Sequence, residues 1–416
     1  MAILKLKPSC KDYLWGGTRL MTEFGKEFSG EKLAETWELS CHPDGPSIVE
    51  NGEYAGETLS EYILMEGKKV TGTRSRKYEQ FPLLIKFIDA KDDLSIQVHP
   101  NDEYALKNEG QYGKTEMWYI VDCEEGSSLY YGFSREISKE EFVERIGQKT
   151  LLEVLNKVEV QKGDVLFIEP GTIHAIGKGN LIAEIQQNSN VTYRVYDYGR
   201  KGADGKERDL HIEKALQVTN RIPIMRKKSF KPHVVSCDYF TVDKIVLDGQ
   251  RMKRMFGEID RSSFASLLVL DGEGTVRSHE EHVPVKKGDS SFITAITGEY
   301  EREGSFEALL TTVYKMGFRK RMEEFQDRTK QMDRKQKLEY ALMYYWYHLL
   351  FVLAGAGLFL LLVRHLFFAE PPKAFTCVLV HQAVDYARDE ELAADFAAAS
   401  GIEPERIEMD SDYLFS

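Results

Sequence analysis

Val160-Gln161-Lys162-Gly163-Asp164-Val165-Leu166-Phe167-Ile168 recurs 125 residues later as Val285-Lys286-Lys287-Gly288-Asp289-Ser290-Ser291-Phe292-Ile293. A strand, a Gly-Asp turn and a second strand is the unit from which antiparallel barrels build their hairpins. Two copies therefore predict two similar barrels in tandem. Carrying the same offset past His174 lands on Glu299, so the second copy lacks an imidazole at that place. The first barrel is expected to bind a metal and the second to be structural.

Outward from the first copy, Gln97-Val98-His99-Pro100-Asn101 carries two ligating side chains two residues apart, on one face of a strand. Glu116 follows in Lys114-Thr115-Glu116-Met117, and His174 follows a Pro170-Gly171 turn. Gln, His, Glu and His form an N/O donor set suited to a zinc-type divalent ion with an open coordination position. The run from Glu184 to Arg194 alternates so that Glu184, Gln186 and Asn188 share a strand face. His279-Glu280-Glu281-His282 imitates a zinc pair, but its spacing is not the i, i+4 of a helical HExxH, and Pro284 points to a solvated hairpin loop. His42 has the position to line a cleft, without an assignable partner; His211 and His233 have no supporting context.

Elsewhere, Phe81–Ile88 and Ser95–His99 read as strands. Ser138-Lys139-Glu140-Glu141 is a capping signature that opens a helix predicted over 139–157, with Phe142, Ile146, Leu151, Leu152 and Leu155 on its buried side. Residues 158–200 and 230–315 return to strands. The 416-residue chain has a formal net charge of −12, which excludes nucleic acid as a partner, because no basic surplus offsets phosphate repulsion. Five scattered cysteines without a CxxC pair suit a reducing compartment. No apolar secretion signal opens the sequence, so the expected site of the catalytic part is the cytoplasm.

Residues 340–363 carry no formal charge, Leu349–Val363 is apolar throughout, and Tyr344, Tyr345, Trp346 and Tyr347 form an aromatic belt at one end. This length predicts a membrane-crossing helix over 340–368. Residues 315–339 carry nine Lys/Arg, whereas 369–416 carry three basic and eleven acidic residues. The positive-inside rule then places the acidic tail outside the cell membrane. The domains expected are 1–225 (metal-binding barrel), 226–315 (metal-free barrel), 316–339 (basic linker), 340–368 (membrane helix) and 369–416 (tail).

Together these motifs resemble the class I mannose-6-phosphate isomerase family, in its short bacterial form, over about residues 3–315. Tyr13-Leu14-Trp15-Gly16-Gly17 and Glu35-Thr36-Trp37 add to the likeness. The resemblance implies a mainly β, tandem cupin fold with a helical insertion, one zinc ion, and interconversion of mannose 6-phosphate and fructose 6-phosphate through an enediol. By position, Gln97, His99, Glu116 and His174 match the family's metal ligands. Arg194 matches its active-site arginine; Lys114 and Glu184 match pocket residues, with Lys114 and Arg194 suited to a phosphorylated sugar. The family often reads Asn-Ser-Asp ahead of the arginine, but here the last position is Asn190, which makes Glu184 the better candidate for the proton-transfer base. Rival readings are a cupin oxygenase using iron on the same ligands and a membrane-tethered, non-catalytic sugar-phosphate sensor.

Overall fold

The computed structural model describes residues 2–202, 205–224, 232–279, 281–314, 359, 373–378 and 386–410. They fall into two compact units, Met1–Met316 and Gly317–Ser416. The first is mainly β. A six-stranded antiparallel sheet runs in the order Val165–Ile168, Glu116–Cys123, Asn180–Gln187, Leu83–Ala90, Glu35–Leu39, Ser9–Lys11. A five-stranded sheet runs Tyr193–Tyr196, Ile96–Val98, His174–Ile176, Ser128–Phe133, Leu155–Glu159. Trp118, Ile120, Ile182 and Ile88 of the first sheet pack on Leu129, Tyr131 and Ile176 of the second.

The alternating residues of the six-stranded sheet bury the other way. Leu181, Ala183 and Ile185 join Met117, Ile85 and Phe87 against Leu268, Phe292 and Leu309 of the C-terminal strands. Sandwiching on both faces explains why Asn180–Gln187 and Leu83–Ala90 are buried at every position. The third sheet has nine strands and includes Gly298–Val313, Ala265–Ser278 and Ser290–Ile293, followed by Ile3–Lys7 and Ile48–Val49. The chain is thus not divided linearly: Ile3–Lys7 from the N-terminus pairs with Ser290–Ile293.

The sequence repeat is a repeat of bonding. Gly163 and Gly288 both sit at φ 90°, where a side chain is strained. Asp164 N–H donates to Gln161 C=O at 3.0 Å, and Asp289 N–H to Lys286 C=O at 2.9 Å. The Asp164 and Asp289 carboxylates accept the N–H groups of Gln161 and Lys286 at 3.1 and 2.9 Å. Each glycine N–H also reaches the neighbouring strand, at Ile120 C=O (2.8 Å) and Val269 C=O (2.9 Å). In register, Ile168 faces Glu116 in the first copy and Ile293 faces Ala265 in the second. An alanine therefore occupies the place of a candidate ligand.

The helix expected over 139–157 is shorter. Ser138 caps it by accepting from Glu141 N–H, but it ends at Gly147, and Lys149 turns to φ 58°. Leu151–Val154 is a 3-10 turn and Leu155–Glu159 a strand paired with Ser128–Phe133. Leu151, Val154 and Leu155 bury in the same cluster as Phe142 and Ile146, so apolar spacing alone did not distinguish these shapes. The expected strand at Phe81–Ile88 is shifted to Leu83–Ala90. His279 turns at φ 46°, and the residues read as a hairpin loop include Glu281 and His282, which already belong to the strand Glu281–Lys286.

In the second unit, Phe375–Val378 pairs parallel with Ile407–Asp410 and is linked through helix Tyr386–Ser400. No helix among the described residues is long and apolar enough to cross a membrane. The membrane helix expected over 340–368 lies outside the described residues, Phe359 apart.

Candidate metal centre

Register assembles the site. Arg194, Gln97, His174 and Tyr131 are mutual partners across four strands of the five-stranded sheet. In the facing sheet Glu116 lies beside Gln186, while Trp118, Glu184, Lys86 and Trp37 form the adjoining row. Directly paired residues point to the same face, so each sheet lines up its polar side chains in rows.

His99, Glu116 and His174 converge, with their ligating atoms all within 4.8 Å of one another. The His99 and His174 Nε2 atoms are 3.1 Å apart, and His174 Nε2 is 3.3 Å from Glu116 Oε1. Each ring is fixed from behind: Nδ1 of His99 donates to Val191 C=O at 2.9 Å, and that of His174 to Thr172 C=O at 2.8 Å. This leaves both Nε2 lone pairs aimed at one point. Gln97 joins them, its amide nitrogen 3.4 Å from His174 Nε2. A half-turn of that amide presents its oxygen instead.

The electrostatics call for a cation. Burial holds His99 well below the usual imidazole range and His174 down to about 4, so both rings are neutral donors. Burial pushes Glu116 up to about 7, although Lys114 at 3.1 Å opposes the rise. Apart from that ammonium, no donor among the described residues reaches either oxygen of this fully buried carboxylate. Two neutral imidazoles and an unsatisfied carboxylate sharing one point fit a divalent ion, which would draw on the three and on Gln97.

Beside this point lies a charged layer. Glu184 is buried, which favours its protonated form, but Lys114 and Lys86 outweigh burial and hold its carboxyl below the usual range. Its Oε1 is 3.4 Å from Lys86 Nζ and 3.7 Å from Lys114 Nζ, and its Oε2 accepts from the Trp118 indole at 3.1 Å. Lys86 also meets Glu35 at 3.3 Å and lies 5.0 Å over the Trp37 ring. Arg194 stands apart: its Nη1 donates to Asp209 C=O at 2.9 Å. Burial and the neighbouring Arg208 depress its basicity, and its Nε is buried without an acceptor.

The structure thus gathers Gln97, His99, Glu116, His174, Lys114 and Glu184, and places Arg194 on the same sheet face. Sequence reasoning missed Lys86 and Trp118, and it named Glu35 and Trp37 only as part of the family likeness, without a role in the site. A lysine inside the otherwise apolar run Pro82-Leu83-Leu84-Ile85-Lys86-Phe87-Ile88 was the available signal, since a cation is buried in such a strand only with partners. His42, which had no partner in the sequence, is 3.4 Å from Gln111.

Residues 3–126 match the description "Phosphomannose isomerase type I, catalytic domain", and residues 230–313 match "Mannose-6-phosphate isomerase, cupin domain". Over 319 residues, 74% of this chain and 98% of the relative, the sequence is 39% identical to mannose-6-phosphate isomerase ManA of Bacillus subtilis (strain 168). The chain belongs to the type I phosphomannose isomerase family. Its mainly β, cupin-like fold agrees with the crystal structure of the mannose 6-phosphate isomerase from Bacillus subtilis, 36% identical, with a TM-score of 0.68 over 75% of this chain and 99% of that one. A zinc-bound mannose 6-phosphate isomerase structure, 17% identical, shares the fold over 76% of this chain and 100% of that one, with a TM-score of 0.61.

Proposed function

We propose that this chain interconverts mannose 6-phosphate and fructose 6-phosphate, with Gln97, His99, Glu116 and His174 holding one zinc ion. The observation that carries the reading is the convergence of two neutral imidazoles on a buried carboxylate whose one other close partner is the Lys114 ammonium, in a chain 39% identical to a mannose-6-phosphate isomerase. Zinc bound there would act as a Lewis acid toward the sugar's carbonyl or hydroxyl oxygen.

The chain's own groups supply the rest. Moving the carbonyl between C1 and C2 requires a proton to leave one carbon and return to its neighbour through an enediol. Glu184, kept ionised by Lys114 and Lys86, takes that proton and returns it. Lys114 bridges Glu116 at 3.1 Å and Glu184 at 3.7 Å, and it offsets negative charge growing on the substrate oxygens. Arg194, on the same face and with an unpartnered Nε, offers its guanidinium to the phosphate.

The domain division at 225/226 is part of this proposal, with strand Ile3–Lys7 contributed to the C-terminal sheet. Residues 340–368 are proposed to cross a membrane with the isomerase part in the cytoplasm, on the strength of the uncharged run 340–363 and its apolar stretch Leu349–Val363. Sedimentation of the full chain with washed membranes supports this; recovery in the soluble fraction contradicts it. A coupled assay following fructose 6-phosphate tests the activity: turnover that is lost on chelation and restored by zinc is expected. A folded, zinc-loaded protein that does not turn over mannose 6-phosphate would refute the isomerase reading.

A further inference from the structure

Three loops meet at the ends of the strands that carry the site. They are residues 40–47 after Glu35–Leu39, residues 109–115 before Glu116–Cys123, and residues 188–192 after Asn180–Gln187. One closed ring of hydrogen bonds joins them. His42 Nε2 faces Gln111 Oε1 at 3.4 Å, and the same oxygen accepts Asn190 N–H at 3.3 Å. The Asn190 side-chain amide donates to Asp44 Oδ2 at 2.9 Å. Asp44 N–H donates to His42 Nδ1 at 3.1 Å, which closes the circle and leaves the His42 proton on Nε2. The ring is anchored from outside: His42 is buried, edge-on to Trp37 at 5.6 Å, and Lys11 Nζ donates to Asp44 C=O at 2.6 Å.

The position held by this ring matters because of the residue that follows it. Val191 supplies the carbonyl that accepts from His99 Nδ1. We infer that the His42–Gln111–Asn190–Asp44 ring is a clasp that positions residue 191, and through its carbonyl the His99 ring, and that it requires a donor amide at 190 because Asp44 already supplies the carboxylate. An aspartate at 190 would set two carboxylates at hydrogen-bonding distance, where neither donates and like charges repel. The clasp would then open. Asn190 and Asp44 are both exposed and touch none of the ligands, so they are positioning residues.

This inference rests on the metal-centre reading, and its test is separate from turnover. Zinc dissociation constants of metal-free protein are measured by chelator competition for the parent, Asn190→Asp, Asn190→Ala, Asp44→Asn, and the Asp44→Asn/Asn190→Asp pair. Loss of a group that orients a histidine ligand directly costs roughly 10- to 100-fold in metal affinity. Asn190 acts one residue further away, so Asn190→Asp is expected to weaken binding by about 3- to 10-fold on that scale. Asn190→Ala should lose less, and Asp44→Asn should stay within about twofold, because an amide oxygen still accepts. The double variant should regain the parent's affinity, since the carboxylate and amide have merely exchanged places. Ring 15N shifts of His99 in the same metal-free samples read its tautomer directly. The parent should carry its proton on Nδ1, and Asn190→Asp should show a mixture. Parent-like affinity and parent-like ring shifts in Asn190→Asp, or a double variant no better than the single one, would overturn the clasp.

Discussion

Replacing Lys86 by methionine tests the charged layer most severely. The residue is 4% exposed and its ammonium lies 3.3 Å from Glu35 and 3.4 Å from Glu184. Burial works against that charge, but Glu35, Glu184 and Glu116 outweigh it and raise the lysine above its ordinary range. At an effective dielectric constant near 20, each contact is worth about 5 kcal/mol. Removing a buried ammonium also relieves several kcal/mol of desolvation. What remains is the cost of two buried carboxylates left with single indole donors, from Trp37 to Glu35 at 2.8 Å and from Trp118 to Glu184 at 3.1 Å. Breaking a buried ion pair from one side typically costs about 3–5 kcal/mol. At roughly 2–4 °C per kcal/mol, the unfolding midpoint should fall by about 6–20 °C at pH 7.

The deficit should be charge-specific. Unpaired Glu184 is destabilising only while ionised, so the gap from the parent should narrow as pH falls. Adding Glu35→Gln should recover part of the loss. Losing Lys86 also removes one of the two cations that hold Glu184 ionised, so the acid limb of the rate–pH profile should move to higher pH. Thermal unfolding followed by circular dichroism from pH 5 to pH 8 decides the matter. A midpoint unchanged from the parent at every pH would refute the reasoning.

Other outcomes follow from the same geometry. His99→Ala should lose bound zinc and turnover together, checked by metal analysis of the purified protein; full activity in a metal-free sample would contradict the ligand assignment. Glu184→Gln should slow turnover by roughly 100- to 10,000-fold while leaving zinc content intact. In metal-free protein, His174 takes up a proton only near pH 4, whereas an unfolded imidazole does so near 6.5. The unfolded state thus binds the proton first, and stability present above pH 6.5 is lost on descending toward pH 4, by about 3 kcal/mol from this group. Glu116, held up at about 7, works in the opposite sense over an overlapping range, so equilibrium urea unfolding of Glu116→Gln across that window measures the imidazole contribution. Gly288→Ala should destabilise more than Gly163→Ala: both pay for a left-handed backbone, about 1–2 kcal/mol, but a Cβ at 288 would sit 2.6 Å from Phe24 C=O, while one at 163 meets only Tyr119 Oη at 3.9 Å.

The parts of this molecule legible in its sequence were those fixed by local chemistry. The Gly-Asp turns at 163–164 and 288–289 announce themselves because a left-handed backbone and an Asp side-chain acceptor leave few alternatives. His99, Glu116 and His174 were found because ligating residue types are few and their motifs are spaced in order. What stayed hidden depends on partners far away in sequence. Lys86 is an ordinary strand residue until Glu184, 98 positions later, faces it in register. Ile3–Lys7 joins the C-terminal sheet through pairing across nearly 290 residues, and no local pattern encodes that. Leu151–Leu155 kept apolar spacing compatible with a helix, but Lys149 at φ 58° and pairing with Ser128–Phe133 took it elsewhere. Asn190 read as a missing carboxylate; only its bond to Asp44 gives the amide a role.

Anomalous diffraction at the zinc absorption edge, on crystals of protein purified without chelator, bears most directly on the metal centre. The account predicts one peak among His99 Nε2, His174 Nε2 and Glu116, at about 2.0–2.2 Å from each donor atom. No peak there in a protein that turns over mannose 6-phosphate, or zinc bound at other residues alone, would contradict it.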